Sequence, residues 1–268
     1  YFFYFRHMNK LTIVKDYIRY YFKSKTKHAI HSPFVFEFVT NVLNQKKTQN
    51  KQLAQIETLR KELSLSDKKI EITDFGAGSA TKRKTKSVSE IVLHSAKSKK
   101  YAHLLYRIIE YYQIRHILEL GTSSGLTSMY LATAPSAKKV ITIEGCPQIA
   151  KLAEENFKKL QIKNIIPIVG NFDIILSEIL QKNPEIDFVF FDGNHTEEAT
   201  LRYFNQCLPS ISNNSIFIFD DINWSEGMKA AWEQIKQNPS VKVTIDLFFI
   251  GIVFFRKELS KEDFVIRY

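Results

Sequence analysis

The sequence predicts a doubly wound α/β protein whose mostly parallel sheet of seven strands ends in an antiparallel edge strand, with a helical extension before it. Two observations carry this. Five short β-branched runs alternate with helical stretches after Tyr101, and the last apolar segment holds two strand-like runs with no helix between them. A third observation, helical periodicity in the first sixty residues, supplies the extension.

In order, Leu11, Val14, Ile18, Tyr21 and Phe22 recur at three- and four-residue spacing, with Lys15, Arg19 and Lys23 off that stripe: an amphipathic helix. A basic turn follows, then a second helix in which Ser32 can cap and Pro33 can take the first position, and a polar third helix fits 50–64. The expected division is a helical extension over 1–64, a basic Ser/Thr-rich loop segment over 65–100, and the main domain over 101–268. In that domain the units are HILEL then helix 125–134, KVITIE then 147–160, IIPIV then 173–181, DFVFFD then 196–208, and SIFIFD then 225–236. VKVTIDLFFIGIVFFRK closes the chain as the antiparallel pair.

Composition excludes disorder and fibrous folds: of 268 residues 44% are hydrophobic, and 9 Gly with 7 Pro leave little for linkers. The two cysteines, Cys146 and Cys207, have no metal-ligand or disulfide spacing, so a cytoplasmic setting is expected. YFFYFRHM at the start is too short for a membrane span and lacks the order of a secretory signal, and residues 1–7 are given no role. The formal charge of +10 is uneven: residues 1–100 hold 21 Lys+Arg against 8 Asp+Glu. Such a half can attract nucleic acid or an anionic surface, or be a solvated face with no partner.

In doubly wound sheets, ligands sit at the carboxyl ends of the strands. The first strand ends in Glu119, then Gly121, Thr122, Ser123, Ser124 and Gly125 lead into a helix, a small-residue turn whose N–H groups can meet a polar ligand. An acid here suits a ligand bearing positive charge better than a pyrophosphate, and S-adenosylmethionine has an ammonium and a sulfonium. Glu144, before Gly145, ends the second strand where a carboxylate accepts both ribose hydroxyls. Asn171 and Phe172 follow the third, placed to read an adenine edge and cover its ring. Asp74 to Ser79 also looks like an acidic glycine turn, but a basic polar stretch follows where an apolar helix should start. Segment 74–100 is read as a cover near the cleft or an ordinary surface loop.

ILELGTSSG, VITIEG, VGNF and the terminal antiparallel strands together resemble a class I S-adenosylmethionine-dependent methyltransferase, Rossmann-like in fold, over about residues 100–256. FFDGNH and FIFDD narrow the likeness to metal-dependent O-methyltransferases of the catechol and bacterial natural-product types. The resemblance implies that Asp192, Asp220 and Asp221 hold Mg²⁺. Independently, three carboxylates at two adjacent strand ends repel one another unless a hard cation neutralises them. The alternative is that Asp192 contacts substrate or cofactor while Asp220 and Asp221 cap the next helix. Where catechol-type enzymes carry a lysine base three residues after the first aspartate, this chain has His195, which can act as the base or merely cap the following helix.

The activity these readings imply is Mg-assisted methylation of a hydroxyl oxygen on a small molecule, with Asp192 and His195 as the catalytic pair. RNA methylation through the basic N-terminal half, or a silent cofactor fold that docks a partner, stand as alternatives. Apolar stripes on the first two helices can pack on their own sheet or form a homodimer.

Overall fold

The computed structural model describes residues 10–45, 50–72 and 85–268. It divides into two compact units, Gln45–Ile175 and a second made of 10–44 with Leu176–Tyr268. The extension expected over 1–64 is therefore split between them. Residues 1–7 and the Asp74 to Ser79 turn lie outside the described residues.

In the first unit, α3 (Lys51–Ser64) starts where Asn50 Oδ1 accepts N–H bonds from Gln52 and Leu53, and it buries Leu53, Ile56 and Leu59. The segment expected as a loop is instead partly regular. Strands β1 (Lys69–Glu71) and β2 (Thr85–Ser87) pair antiparallel, and α4 (Val88–Ser95) begins with a capping box between Ser87 and Glu90. The S-x-x-E signature was present in the sequence but hidden in a stretch whose composition is that of a loop. Helix α5 (Lys99–Tyr111) was also not singled out, although Leu104, Leu105, Ile108 and Ile109 on it are wholly buried. Then β3 (His116–Leu120), α6 (Leu126–Ala132), β4 (Lys139–Glu144), α7 (Pro147–Lys159) and β5 (Ile165–Val169) follow as expected, with β3 parallel to β4 and β4 parallel to β5. Every residue of α6 is buried, which is why it shows no polar face. Helix α8 (Phe172–Lys182) runs from this unit into the next.

The second unit holds α1 (Lys10–Lys23) and α2 (Pro33–Phe38), the latter continued by a π-helical turn, Val39–Leu43. Pro33 opens α2 as expected, but Ser32 makes no side-chain cap bond. Phe34 and Phe38 meet the Phe254 ring edge-on at 5.0 and 5.9 Å, fastening α2 to the sheet. Strands β6 (Phe188–Phe191) and β7 (Ile216–Asp220) are parallel and joined through α9 (Glu197–Cys207). After α10 (Glu226–Gln237), β8 (Val243–Asp246) and β9 (Ile250–Phe254) form the expected antiparallel pair, with β9 lying between β7 and β8.

The parallel and antiparallel strands from β3 to β10 number eight rather than seven. The addition is β10 (Glu262–Val265), which pairs parallel to β8 on its outer side. Two of its four residues are exposed acids, and the Thr244 hydroxyl donates to one of them, Asp263, at 2.5 Å. Among the described residues no helix is long and apolar enough to cross a membrane.

Sheet and helix meet closely at Gly251 in β9, where an added Cβ would lie 2.7 Å from the Trp232 ring of α10 and 3.0 Å from Ile222. Gly251→Ala should lower stability by about 1–3 kcal/mol in urea unfolding, the cost of overpacking a filled core. An unchanged midpoint would show that Trp232 moves aside freely.

Candidate functional site

The turn after β3 has an unusual backbone. Gly121, Ser123 and Gly125 have φ of 110°, 48° and 77°. Gly125 is required twice over, since a Cβ there would also lie 2.4 Å from the Phe157 ring of α7. Nearly all the N–H groups of this turn are used inside the protein. Those of Gly121 and Thr122 donate to the Ile143 carbonyl, that of Gly125 to the Thr122 carbonyl, and that of Ser123 to Glu144 Oε2 at 2.9 Å. A pyrophosphate cradle needs such groups turned outward, so the turn suits a ligand that is not a phosphate.

Two carboxylates hold the turn. Glu144, at the end of β4, accepts the Ser123 N–H with one oxygen and the Cys146 N–H, at 3.0 Å, with the other. Burial raises its pKa against the lowering effect of these N–H bonds. Glu119 is fully buried, and its Oε2 accepts from Ser128 on α6 and from Thr142 at 2.6 Å. Thr142 is its register partner on β4, and the Thr142 hydroxyl also meets that of Thr122 at 2.6 Å. Oε1 of Glu119 is buried with no hydrogen-bond partner among the described residues. Desolvation pushes the Glu119 pKa up to about 7, opposed by the two hydroxyls and by Lys97.

The sequence offered one signal of this arrangement, a lone Thr in an apolar strand at the height of a lone Glu in its neighbour. Lys97, itself buried, and Ser95, whose hydroxyl bonds that of Ser123, were missed because they close a stretch of basic and small residues that looks uniform. The third strand end joins the same cluster, as Gly170 N–H donates to the Glu144 carbonyl at 3.0 Å. Ser124 is buried and its carbonyl accepts from Asn156 at 2.9 Å. Gly145 and Phe172 are half-buried, and Asn171 Oδ1 accepts from Asp173 N–H at the start of α8.

In the second unit, the register Phe191 to Phe219 between β6 and β7 sets Asp192 level with Asp220 at adjacent strand ends. Asp192, His195 and Asp220 offer ligating atoms within 4.8 Å of one another, with His195 Nε2 3.7 Å from Asp192 Oδ1. Asp221 lies outside that group. Its φ is 54°, and it lines a small pocket with Asn223, Trp224 and Phe248. The capping alternatives are not what the structure has, since Ser225 caps α10 and Thr196 caps α9. Two carboxylates and an imidazole at this spacing fit a single divalent cation in number and reach.

A methyltransferase-domain family model matches residues 118–222. A curated relative, the O-methyltransferase imqG of Aspergillus flavus, is 27% identical over 115 residues; the match covers 41% of this chain and about half, 46%, of that protein. Among solved structures, an O-methyltransferase from Bacillus cereus in complex with SAH is 18% identical and covers 82% of this chain and 97% of its own, with a TM-score of 0.53. An SAH-bound methyltransferase from Podospora anserina is 12% identical at TM-score 0.58, covering 84% and 97%.

The Glu119 environment makes a prediction. Its folded pKa lies above the ordinary 4.5, so the folded state retains a proton that the unfolded chain gives up; the stability this confers is complete below 4.5 and lost as pH rises towards 7. Glu119→Gln should flatten the fall in Tm between about pH 5 and pH 8. A variant whose fall matches the parent's would show that Glu119 titrates as an exposed acid does.

A methyltransferase-domain family model thus matches residues 118–222, and over more than four fifths of its length the chain is similar in fold to two SAH-bound methyltransferases.

Proposed function

We propose that the protein transfers a methyl group from S-adenosylmethionine to a hydroxyl oxygen of a small molecule, with Mg²⁺ assisting. The observation that carries the reading is the convergence of Asp192, His195 and Asp220 at two adjacent strand ends. The name of the curated relative supports oxygen as the acceptor atom. Two buried cysteines outside any disulfide accord with a cytoplasmic setting.

S-adenosylmethionine supplies a methyl group activated by the sulfonium, for in-line displacement by an oxyanion. When bound, Mg²⁺ would supply a Lewis acid that lowers the pKa of the acceptor hydroxyl. Asp192 and Asp220 would hold the ion, with Asp221 as the neighbouring carboxylate. His195 would take the hydroxyl proton at a ring nitrogen, and its Nε2, 3.7 Å from Asp192 Oδ1, sets the ring beside the carboxylates. Glu144 accepts the ribose hydroxyls, exchanging N–H partners it already has for hydroxyl donors. Gly121, Thr122, Ser123, Ser124, Gly125 and Gly145 let the ligand approach the backbone, while Asn171 and Phe172 flank its adenine. Glu119 acts through Ser128 and Thr142 by fixing the turn.

Two sets of variants separate these roles. Asp192→Ala and Asp220→Ala should each reduce methyl transfer to catechol-like acceptors at least a hundredfold while calorimetry finds cofactor affinity within a few-fold of the parent. Undiminished turnover in both would remove the metal from the reaction. Glu144→Ala should weaken cofactor binding tenfold or more, as loss of charge-assisted hydrogen bonds does, and an unaltered Kd would reject its ribose role.

A further inference from the structure

Helix α1 has two apolar faces, and the second unit uses one. Ile13 and Tyr20 are buried against Phe248, Tyr20 donates to the Ile266 carbonyl at 2.5 Å, and Lys25 pairs with Ile266 beyond the helix end. The other face is open. Val14 (55% exposed), Ile18 (49%) and Phe22 (82%) follow one another at four-residue spacing, and Tyr21 fills the same arc, while the half-exposed Tyr17 turns its ring edge-on to Phe248 at 5.0 Å. At 100° per residue Val14, Ile18, Tyr21 and Phe22 cover roughly 100° of the helix circumference.

The charge around this stripe has one sign. Lys15, Arg19 and Lys23, all exposed, border it on one side, and Lys25 and Lys27 continue past the helix end. On the other side the Arg267 guanidinium lies 3.8 Å from the centre of the Tyr21 ring, fixed by a hydrogen bond to the Tyr21 carbonyl at 2.8 Å. The single acid of the helix, Asp16, is 15% exposed, turned to Lys229 at 2.5 Å and 3.9 Å from Arg19 of the rim. An exposed apolar arc with tyrosines, rimmed by long cationic side chains, has the pattern of a helix that lies in a bilayer interface: apolar groups enter the acyl boundary, aromatic rings sit at headgroup level, and lysines reach out to the phosphates. Pairing with a second copy is disfavoured by the same pattern, because antiparallel helices would set one Lys15, Arg19, Lys23 row against the other.

We propose that α1 is a docking surface for an anionic lipid bilayer, which holds the protein on the membrane without crossing it. The test is co-sedimentation of the full chain with phosphatidylcholine vesicles and with vesicles in which half the lipid is phosphatidylglycerol. Binding should favour the anionic vesicles at least tenfold and weaken with added salt. It should fall at least tenfold both in Lys15→Glu/Arg19→Glu/Lys23→Glu and in Ile18→Ser/Phe22→Ser, and stay unchanged in Ile174→Ser, which removes an exposed apolar residue elsewhere. All the altered side chains are exposed, and circular dichroism checks that each variant folds. Equal partition into both vesicle types, binding to neither, or indifference to both multiple variants would overturn the proposal. So would light scattering that finds a dimer abolished by Ile18→Ser/Phe22→Ser in a protein that ignores vesicles, which would give the face to a second copy.

Discussion

The turn between β3 and α6 depends on carboxylates that arrive from outside it. Three of its five residues have left-handed or otherwise positive φ, a conformation that for a residue with a Cβ costs about 1–2 kcal/mol. Ser123 tolerates this because Glu144 takes its N–H. Thr122 is held by its own N–H to Ile143 and by a hydroxyl contact that leads through Thr142 to Glu119. One carboxylate is fully buried and the other is at the end of a strand, so the shape of the turn is tied to the register of β3 on β4. Slip that register by one residue and Glu119 loses Thr142, while Thr142 leaves Thr122.

The same economy of register appears in the second unit. Asp192 and Asp220 come together because β6 and β7 are parallel and level, not because a loop folds back to bring them there. His195 then enters through the short turn before α9, whose start is fixed by Thr196. In both units, groups far apart in sequence are placed by strand ends, which is the general reason that sheets of this type carry their ligands at one edge.

Most of the fold was legible because its strands are short and, except at the outer strands such as β5, buried on both faces, so they appear as apolar runs with helices between them. HILEL, KVITIE and IIPIV become β3, β4 and β5 residue for residue. Apart from α5, whose buried Tyr101, Leu104, Leu105, Ile108 and Ile109 do recur at helical spacing, what was not legible had no periodic signature. Strand β10 alternates too weakly over four residues, β1 and β2 are three residues each, and Lys97 is one lysine among many. The candidate site divides in the same way. Strand-end acids could be read from position alone, but whether Glu119 faces outward or is gripped by Ser128 depends on the helix that packs over it. That Asp220 rather than Asp221 joins His195 depends on a single backbone angle.

The central claim is that the turn and Glu144 form a site for S-adenosylmethionine. Isothermal calorimetry of S-adenosylmethionine and of its demethylated product, each with Mg²⁺ and with a chelator, tests it most directly. The account predicts micromolar binding of both ligands, with affinity that survives chelation because the turn and Glu144 are not metal ligands. No binding of either ligand under any of these conditions would contradict it and leave the strand-end acids as structural braces alone.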